Sequence, residues 1–283
     1  MHDVFYFTDI HGARPLFDAI MNYCREQDDE ATIIFGGDAI DRGKDGYAIM
    51  KELLDNPKVV YLKGNHEDMF VKAAYEIKEH FDFSNRTDDK ITDILYSCRY
   101  YDYKYQGIKN SIGNGGLPTL MAWIHDGMPM DIVDRVAHLS YTFSYGNADF
   151  CHAAGVYETF VGAANAEYNN EKVDEYAATS LIWTRTGLPL GWAPNRIAIF
   201  GHTPTVYLSE FADEYVDDIE EEDSVPIKYN GNDLDDRYTG EKLDMDTGAV
   251  FTGRAFVLNV LTMKAQGFEL ENEKVKKIEC IQF

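Results

Sequence analysis

The sequence predicts an α/β fold, an α+β sandwich with two central β-sheets flanked by helices and a helical cap insertion. Two patterns lead to it. Apolar runs of strand length alternate with amphipathic helical stretches through the first third, and strand-like runs return near residue 149 after a long helical pattern. A third observation, the polar residues carried at the ends of those runs, indicates where a site should lie.

In order, "VFYFTDI" ending at Ile10 reads as a strand and "PLFDAIMNYC" from Pro15 as a helix; "TIIFGGD", "GYAIMKELL" and "VVYLKGNH" follow as strand, helix and strand. Pro15 suits a first helical turn, and Leu16, Ile20 and Cys24 recur every four residues on one face. Such a β-α-β-α-β unit implies parallel strands, right-handed connections and ligands at the carboxyl ends of the strands.

Residues 67–148 show no comparable strand. They mix helical patterns with many tyrosines, as in "YSCRYYDYKY" from Tyr96 to Tyr105, and are expected to form the helical cap. Within them "GNGGLP", Gly113 to Pro118, reads as a chain-reversing turn, with close approach of backbone to a ligand as the alternative. "ADFCHAAG", "RIAIFGHT" and "AFVLNVLT" renew the strand signal, the last expected in a second sheet or at an antiparallel edge, giving two layers around a core. Residues 205–244 are expected to be an acidic loop insertion. Its segment from Asp213 to Asp223 has no lysine or arginine, the pattern of a solvated loop; a docking arm for a basic partner or a lid are the alternatives.

With 283 residues and 45% hydrophobic content, the chain is expected to be one soluble cytoplasmic domain over 1–283, without signal or transit peptide. No apolar run approaches the ~20 residues a membrane span needs. Four scattered cysteines suggest neither a disulfide framework nor a zinc ribbon. A net charge of -23 would repel a nucleic-acid backbone, so no nucleic-acid partner is expected. Any phosphate site must be made locally positive by metal ions or a few arginines.

The strand ends deliver Asp9 and His11 in "TDIHG", Asp38, Asp41 and Arg42 in "GGDAIDRG", Asn65 and His66 in "KGNHED", His152 in "CHAAG" and His202 in "GHTPT". A lone histidine in such a place is usually structural. Five strand ends with ligand-type residues cannot all be buried unpaired at modest cost. A pair of divalent cations accounts for them, since carboxylate oxygen and imidazole nitrogen suit Mn, Fe or Zn, and the absence of thiolates argues against iron–sulfur clusters. Two cations ~3.5–4 Å apart can acidify a shared water and hold both the entering and the departing oxygen.

The order D-x-H, G-D-x-x-D-R-G, G-N-H-E and later histidines resembles the calcineurin-like metallophosphoesterases of the PPP serine/threonine phosphatase group. The likeness is strongest to its compact bacterial and bacteriophage members of the lambda phosphatase type, relatives of symmetrical diadenosine tetraphosphatase. It runs from Asp9 to the "DTGAVFTGRAFVL" block near Asp246.

The resemblance implies the metallophosphoesterase fold and two divalent cations, manganese first, with Fe, Zn, Ni or Co as alternatives. It makes Asp9, His11 and Asp38 ligands of one metal, with Asp38 bridging to a second held by Asn65, His152 and His202. Asn65 offers a neutral oxygen, and a histidine binds through one nitrogen while the other needs an acceptor. The likeness makes His66 the general acid and Asp41 its partner, which would favour the imidazolium form. Arg42 and Arg185 match the family's phosphate-gripping arginines. Lys63 stands where the family usually has arginine, a point charge in place of a planar fork, still expected near phosphate.

The implied activity is a phosphomonoesterase in which a hydroxide bridging the metals attacks phosphorus directly, with a serine/threonine and possible tyrosine protein phosphatase as first reading. A phosphorylated protein or small phosphoester is the expected partner. The alternatives are a symmetrical dinucleoside polyphosphate hydrolase and an inactive protein-binding module.

Overall fold

The computed structural model describes residues 2–101, 104–185, 187–188, 190–208, 224–230 and 238–283. The acidic stretch 213–223 lies outside the described residues.

The strand β1 (Val4–Phe7) is buried on both faces, so its sequence VFYF shows no polar alternation. It pairs in parallel with β2 (Thr32–Phe35), and β2 in parallel with β3 (Val59–Tyr61), through α1 (Arg14–Gln27) and α2 (Gly46–Asp55). Phe5, Phe7, Ile33 and Phe35 face Leu16, Phe17, Ile20 and Ile49 of the two helices. Val4, Tyr6 and Ile34 face the other way, into the space between two sheets.

Past α3 (Asn65–His80) come α4 (Asp88–Tyr101), α5 (Gln106–Gly113), α6 (Leu117–His125) and α7 (Met130–Ala137), whose apolar faces extend the core that covers α1 and α2. A short strand, β4 (Phe143–Tyr145), falls inside the range expected to be helical. It is the antiparallel edge partner of β5 (Ala148–Phe150). Three residues carrying one serine are too few for sequence periodicity to register.

The second sheet continues with β5 parallel to β6 (Ile197–Phe200), β6 parallel to β8 (Glu241–Asp244), and β7 (Ile227–Asn230) antiparallel on the outside. Helices α8 (Tyr157–Tyr168) and α9 (Glu175–Trp183) cover its outer face, packing Phe160 and Leu181 around Trp192 and Phe200. Thus β7 and β8 lie within the range 205–244 expected to be loop. The lysine at 242 disguises β8, although that side chain is fully buried.

β9 (Arg254–Asn259) joins the first sheet antiparallel to β1 and is flanked on its other side by β10 (Lys264–Glu271) and β11 (Lys274–Gln282). "AFVLNVLT" therefore lies inside the first sheet, neither in the second sheet nor at an edge. The layers run helix, sheet, sheet, helix, with the inter-sheet core built from Tyr6, Ile34, Phe150, Ile199, Leu243 and Leu258. Two sheets flanked by helices match the expected class.

Beneath the loops of the first sheet, Phe7, Phe35 and Tyr61 meet edge to face, with ring centroids 5.0 and 5.1 Å apart. Phe35 is fully buried at the middle of this row. Phe35→Ala should lower the unfolding free energy by about 3–5 kcal/mol. A urea midpoint shift worth under about 1 kcal/mol would show that the row does not anchor the sheet.

Candidate metal centre

The apolar strands β1, β2, β3, β5 and β6 all end on the same side, and the chain turns sharply as each emerges. Asp9, His11, Asp38, Asp41, Arg42 and His202 all adopt left-handed backbone, with φ of 52°, 41°, 59°, 71°, 62° and 72°. Each such residue costs on the order of 1–3 kcal/mol, so surrounding bonds must hold it there. The loops after β1 and β2 supply them, as Asp9 N–H donates to Gly37 O, His11 N–H to Asp38 O and Gly43 N–H to His11 O, each at 3.0 Å. Glycine permits the closest approaches: a Cβ on Gly64 would lie 2.1 Å from Asp38 Oδ1, and one on Gly201 2.1 Å from Asp9 Oδ2.

Asp38 lies at the centre. Its Oδ1 accepts the His66 N–H at 3.0 Å, while its Oδ2 faces His152 Nε2 at 3.4 Å, His11 Nε2 at 3.6 Å and His66 Nε2 at 3.8 Å. Three imidazoles have their outward nitrogen committed to a backbone carbonyl: His11 Nδ1 to Ile40 O at 2.8 Å, His152 Nδ1 to Gly36 O at 2.9 Å, and His202 Nε2 to Trp183 O at 3.2 Å. Each inward nitrogen then presents a lone pair. His152 Nε2 and His202 Nδ1 both point at Asn65 Oδ1, 3.0 Å from each. Turning the Asn65 amide over would give those two nitrogens a donor, yet would leave His152 facing the Asp38 carboxylate.

Lone pairs so gathered require positive charge among them. Burial alone would push the His152 pKa down, but Asp38 and Asp9 raise it to about 10, so a proton is one answer. His202 and His11 are held well below the ordinary range, chiefly by burial, and stay neutral as ligands must. A divalent cation pair fits this donor set. The ligand atoms of Asp38, His152 and His202 lie within 4.8 Å of one another, as do those of His11, Asp38 and His66.

The second grouping differs from expectation by including His66 and omitting Asp9. Asp9 Oδ2 accepts from Thr8 Oγ1 at 2.6 Å and from the His202 N–H at 3.0 Å. Burial pushes this carboxyl up to about 6, Asp38 adding to the rise and His152 opposing it.

His66 Nδ1 donates to Asp41 Oδ2 at 2.7 Å, and both side chains are buried. Burial lowers the His66 pKa, but Asp38 and Asp41 outweigh it and raise the pKa overall, with Arg42 working against them. Arg42 reaches His11 Nε2 at 2.5 Å and His66 Nε2 at 3.3 Å, and its guanidinium lies 5.2 Å from the centre of the Phe251 ring. Arg185 is partly buried. Burial lowers its pKa, while Asp246 and Asp9 pull upward and Arg42 pushes down, so it shares the field of the same cluster.

Lys63 takes other partners. Its Nζ donates to Ala137 O at 2.6 Å and sits 4.7 Å from the centre of the Tyr141 ring, which ties the end of α7 to β3. Among the described residues no hydrogen bond or ion pair joins it to the cluster. The ammonium is thus turned toward the carboxyl end of α7, where a cation is favoured.

Several contributors carried no assigned role in the sequence. Glu67 takes four hydrogen bonds: Asp38 N–H at 2.8 Å and Gly64 N–H at 3.0 Å on Oε2, Ala39 N–H at 3.0 Å and Tyr61 Oη at 2.8 Å on Oε1. It clamps the Asp38 loop onto the start of α3. Its place three residues after Gly64, where helix-capping glutamates occur, was the available signal. The turn before α6 and the first turn of α6 also reach the site, as Gly115 O accepts the Arg42 N–H at 2.9 Å and Thr119 Oγ1 the Asp41 N–H at 2.9 Å. Nothing in "GNGGLP" alone names those partners. Asp244 and Asp246 lie buried behind Asp9, with carboxyls raised well above the usual range by burial and by neighbouring aspartates.

No curated protein matches the sequence. Solved structures aligning with the chain include a putative diadenosine tetraphosphatase, at 12% identity over 98% of this chain and 93% of that one, TM-score 0.46. A cold-active protein-tyrosine phosphatase of a psychrophile Shewanella sp. aligns at 13% identity over 99% and 81%, TM-score 0.45. A protein serine/threonine phosphatase from Saccharomyces cerevisiae aligns at 13% over 100% and 80%, TM-score 0.46. The family model for calcineurin-like phosphoesterases matches residues 3–227, which span every candidate ligand. Lone pairs converging on Asp38 and this match agree on a divalent metal centre, and the chain belongs to the calcineurin-like phosphoesterase family.

Proposed function

We propose that this protein is a two-metal phosphomonoesterase, first a serine/threonine protein phosphatase with possible activity on phosphotyrosine. What carries the reading is the His66–Asp41 pair standing against the same Asp38 carboxylate on which His11 and His152 converge. That proximity supports reading the one as proton donor and the other as metal ligand for the same substrate.

Asp9, His11 and Asp38 would hold one cation, and Asp38, Asn65, His152 and His202 the other. Bound there, two divalent cations acidify a water for attack on phosphorus and neutralise phosphate charge. Arg42 and Arg185 bind the phosphoryl oxygens. The carboxylate of Asp41 keeps the His66 Nδ1–H in place and favours the protonated ring, whose Nε2–H passes to the departing oxygen. Lys63 serves as a strut between β3 and α7, which leaves the phosphate to the two arginines.

The enzyme is proposed to act in the cytoplasm with manganese. Four free cysteines, three of them buried, are compatible with a reducing compartment. Among the described residues no helix is long and apolar enough to cross a membrane. The alternative substrate, a dinucleoside polyphosphate, is favoured by one feature: Phe251 is 57% exposed beside Arg42 and offers a flat apolar face that suits a nucleobase.

His66→Asn should retain two metals per chain by elemental analysis while kcat falls about 10²–10⁴-fold on alkyl phosphoesters. Full turnover on a substrate with a poor leaving group would remove His66 from the acid role. Asp38→Asn should lose metal and turnover together, and retention of both metals would disprove bridging. With manganese-loaded protein, phosphopeptide hydrolysis should exceed that of diadenosine tetraphosphate and should stop with chelator. A reversed preference would favour the dinucleotide reading, and no hydrolysis of either would favour a binding module.

A further inference from the structure

Behind the second sheet, away from the metal cluster, one cation is wholly enclosed. Lys242 of β8 is fully buried, its Nζ donating to Gly155 O at 3.3 Å and, over a shorter distance, to Gly187 O, 5.6 Å from the centre of the Trp192 ring. Among the described residues no carboxylate pairs with it. Among the described residues Cys151 is the titratable group set beside it; burial brings the Lys242 pKa down to about 7 and pushes the thiol up to about 12, so the amine meets its two carbonyls as an N–H donor whether or not it carries the extra proton. A methionine or leucine here would avoid the desolvation cost of the amine but would take the donor from the buried carbonyls of Gly155 and Gly187, so what the lysine adds is a link between those two segments.

Its two acceptors locate its effect. Gly155 lies three residues beyond His152, on the chain leaving β5. Gly187 lies two residues beyond Arg185, where the Leu188 N–H donates to Arg185 O at 3.0 Å. The two segments press together so closely that a Cβ on Gly187 would fall 2.0 Å from Ala154 O. The carbonyl that locks His202 belongs to Trp183, two residues before Arg185. Lys242 thus fastens the segment bearing Arg185 to the strand end bearing His152, through main-chain oxygens that a long side chain with a donor at its tip can join.

We infer that Lys242 is a positioning residue for substrate phosphate: its ammonium, bridging Gly155 O and Gly187 O, fixes where Arg185 is presented to the site. This rests on the proposed phosphate-binding role of Arg185. The ammonium touches neither metal ligand nor substrate, so its removal should weaken phosphate binding and leave the metals in place.

The test is a double-mutant cycle in full-length, manganese-loaded protein with p-nitrophenyl phosphate, inorganic phosphate serving as competitive inhibitor. Lys242→Met should raise KM and the phosphate inhibition constant about tenfold, with kcat within about twofold and two metals per chain retained. In an Arg185→Ala background the same substitution should add no further loss. Should Lys242→Met fail to fold, Lys242→Gln, which keeps a donor, is put through the same cycle and should give a smaller rise in KM, again absent without Arg185. Equal losses with and without Arg185, loss of metal, or an unchanged KM would overturn the inference while leaving the role of Arg185 intact. An Arg185→Ala enzyme with wild-type KM and phosphate inhibition would instead refute the phosphate role of Arg185, and the inference with it.

Discussion

The Asp38 carboxylate is the constraint on which the site depends. It is nearly fully buried and left-handed in backbone, and it faces three imidazoles on one oxygen while its other oxygen accepts the first N–H of the His66 turn. Burial alone would drive such a carboxyl to its neutral form; the neighbouring His152 and His66 reverse that and hold it ionised. An anion so placed organises the loops around it, because every group that approaches must be a donor, a cation or a lone pair answered by a cation.

Holding Asp38 there falls to groups that do not face the substrate. Glu67 satisfies the amides of Asp38, Ala39 and Gly64 with one carboxylate, so the loop after β2 and the start of α3 are fixed by a single side chain. Its own carboxyl is raised to about 7, by burial first and by Asp38 next, the cost of placing two carboxylates so near each other. Below, the Phe7, Phe35 and Tyr61 rings support the strand ends, and Tyr61 Oη returns a hydrogen bond to Glu67. Core packing and site geometry therefore meet at Tyr61 and Glu67, and the strained backbone of Asp38 is held from both.

The sequence made the site more legible than the sheet order. Apolar runs ending in Asp9, Asp38, Asn65, His152 and His202 are local signals, and the His66–Asp41 pair was read from the same motifs and now has a hydrogen bond. Pairing between distant strands leaves no such mark: β9 reads as any apolar strand, and nothing in "AFVLNVL" says it lies beside β1. Strand β8 was hidden because Lys242 and Asp244 read as surface residues, whereas both are buried in a fold that supplies carbonyls to one and encloses the other. Lys63 has a partner that sequence likewise does not mark. Its motif position says nothing of the carbonyl at the end of α7 that its ammonium meets.

Lys63 and Lys242 together illustrate how a chain with a net charge of -23 uses its few cations. Both are buried, both donate to backbone carbonyls, and neither forms an ion pair among the described residues. An ammonium placed at carbonyls can tie two segments together without bringing another carboxylate toward a site already crowded with them. A further carboxylate close to the cluster would raise the carboxyls of Asp9 and Asp246, which burial already displaces upward. Against its burial, Lys63 is still favoured as a cation by the fields of Asp68, Glu167 and Glu67, so its charge is answered at a distance while its hydrogen bond goes to a backbone dipole.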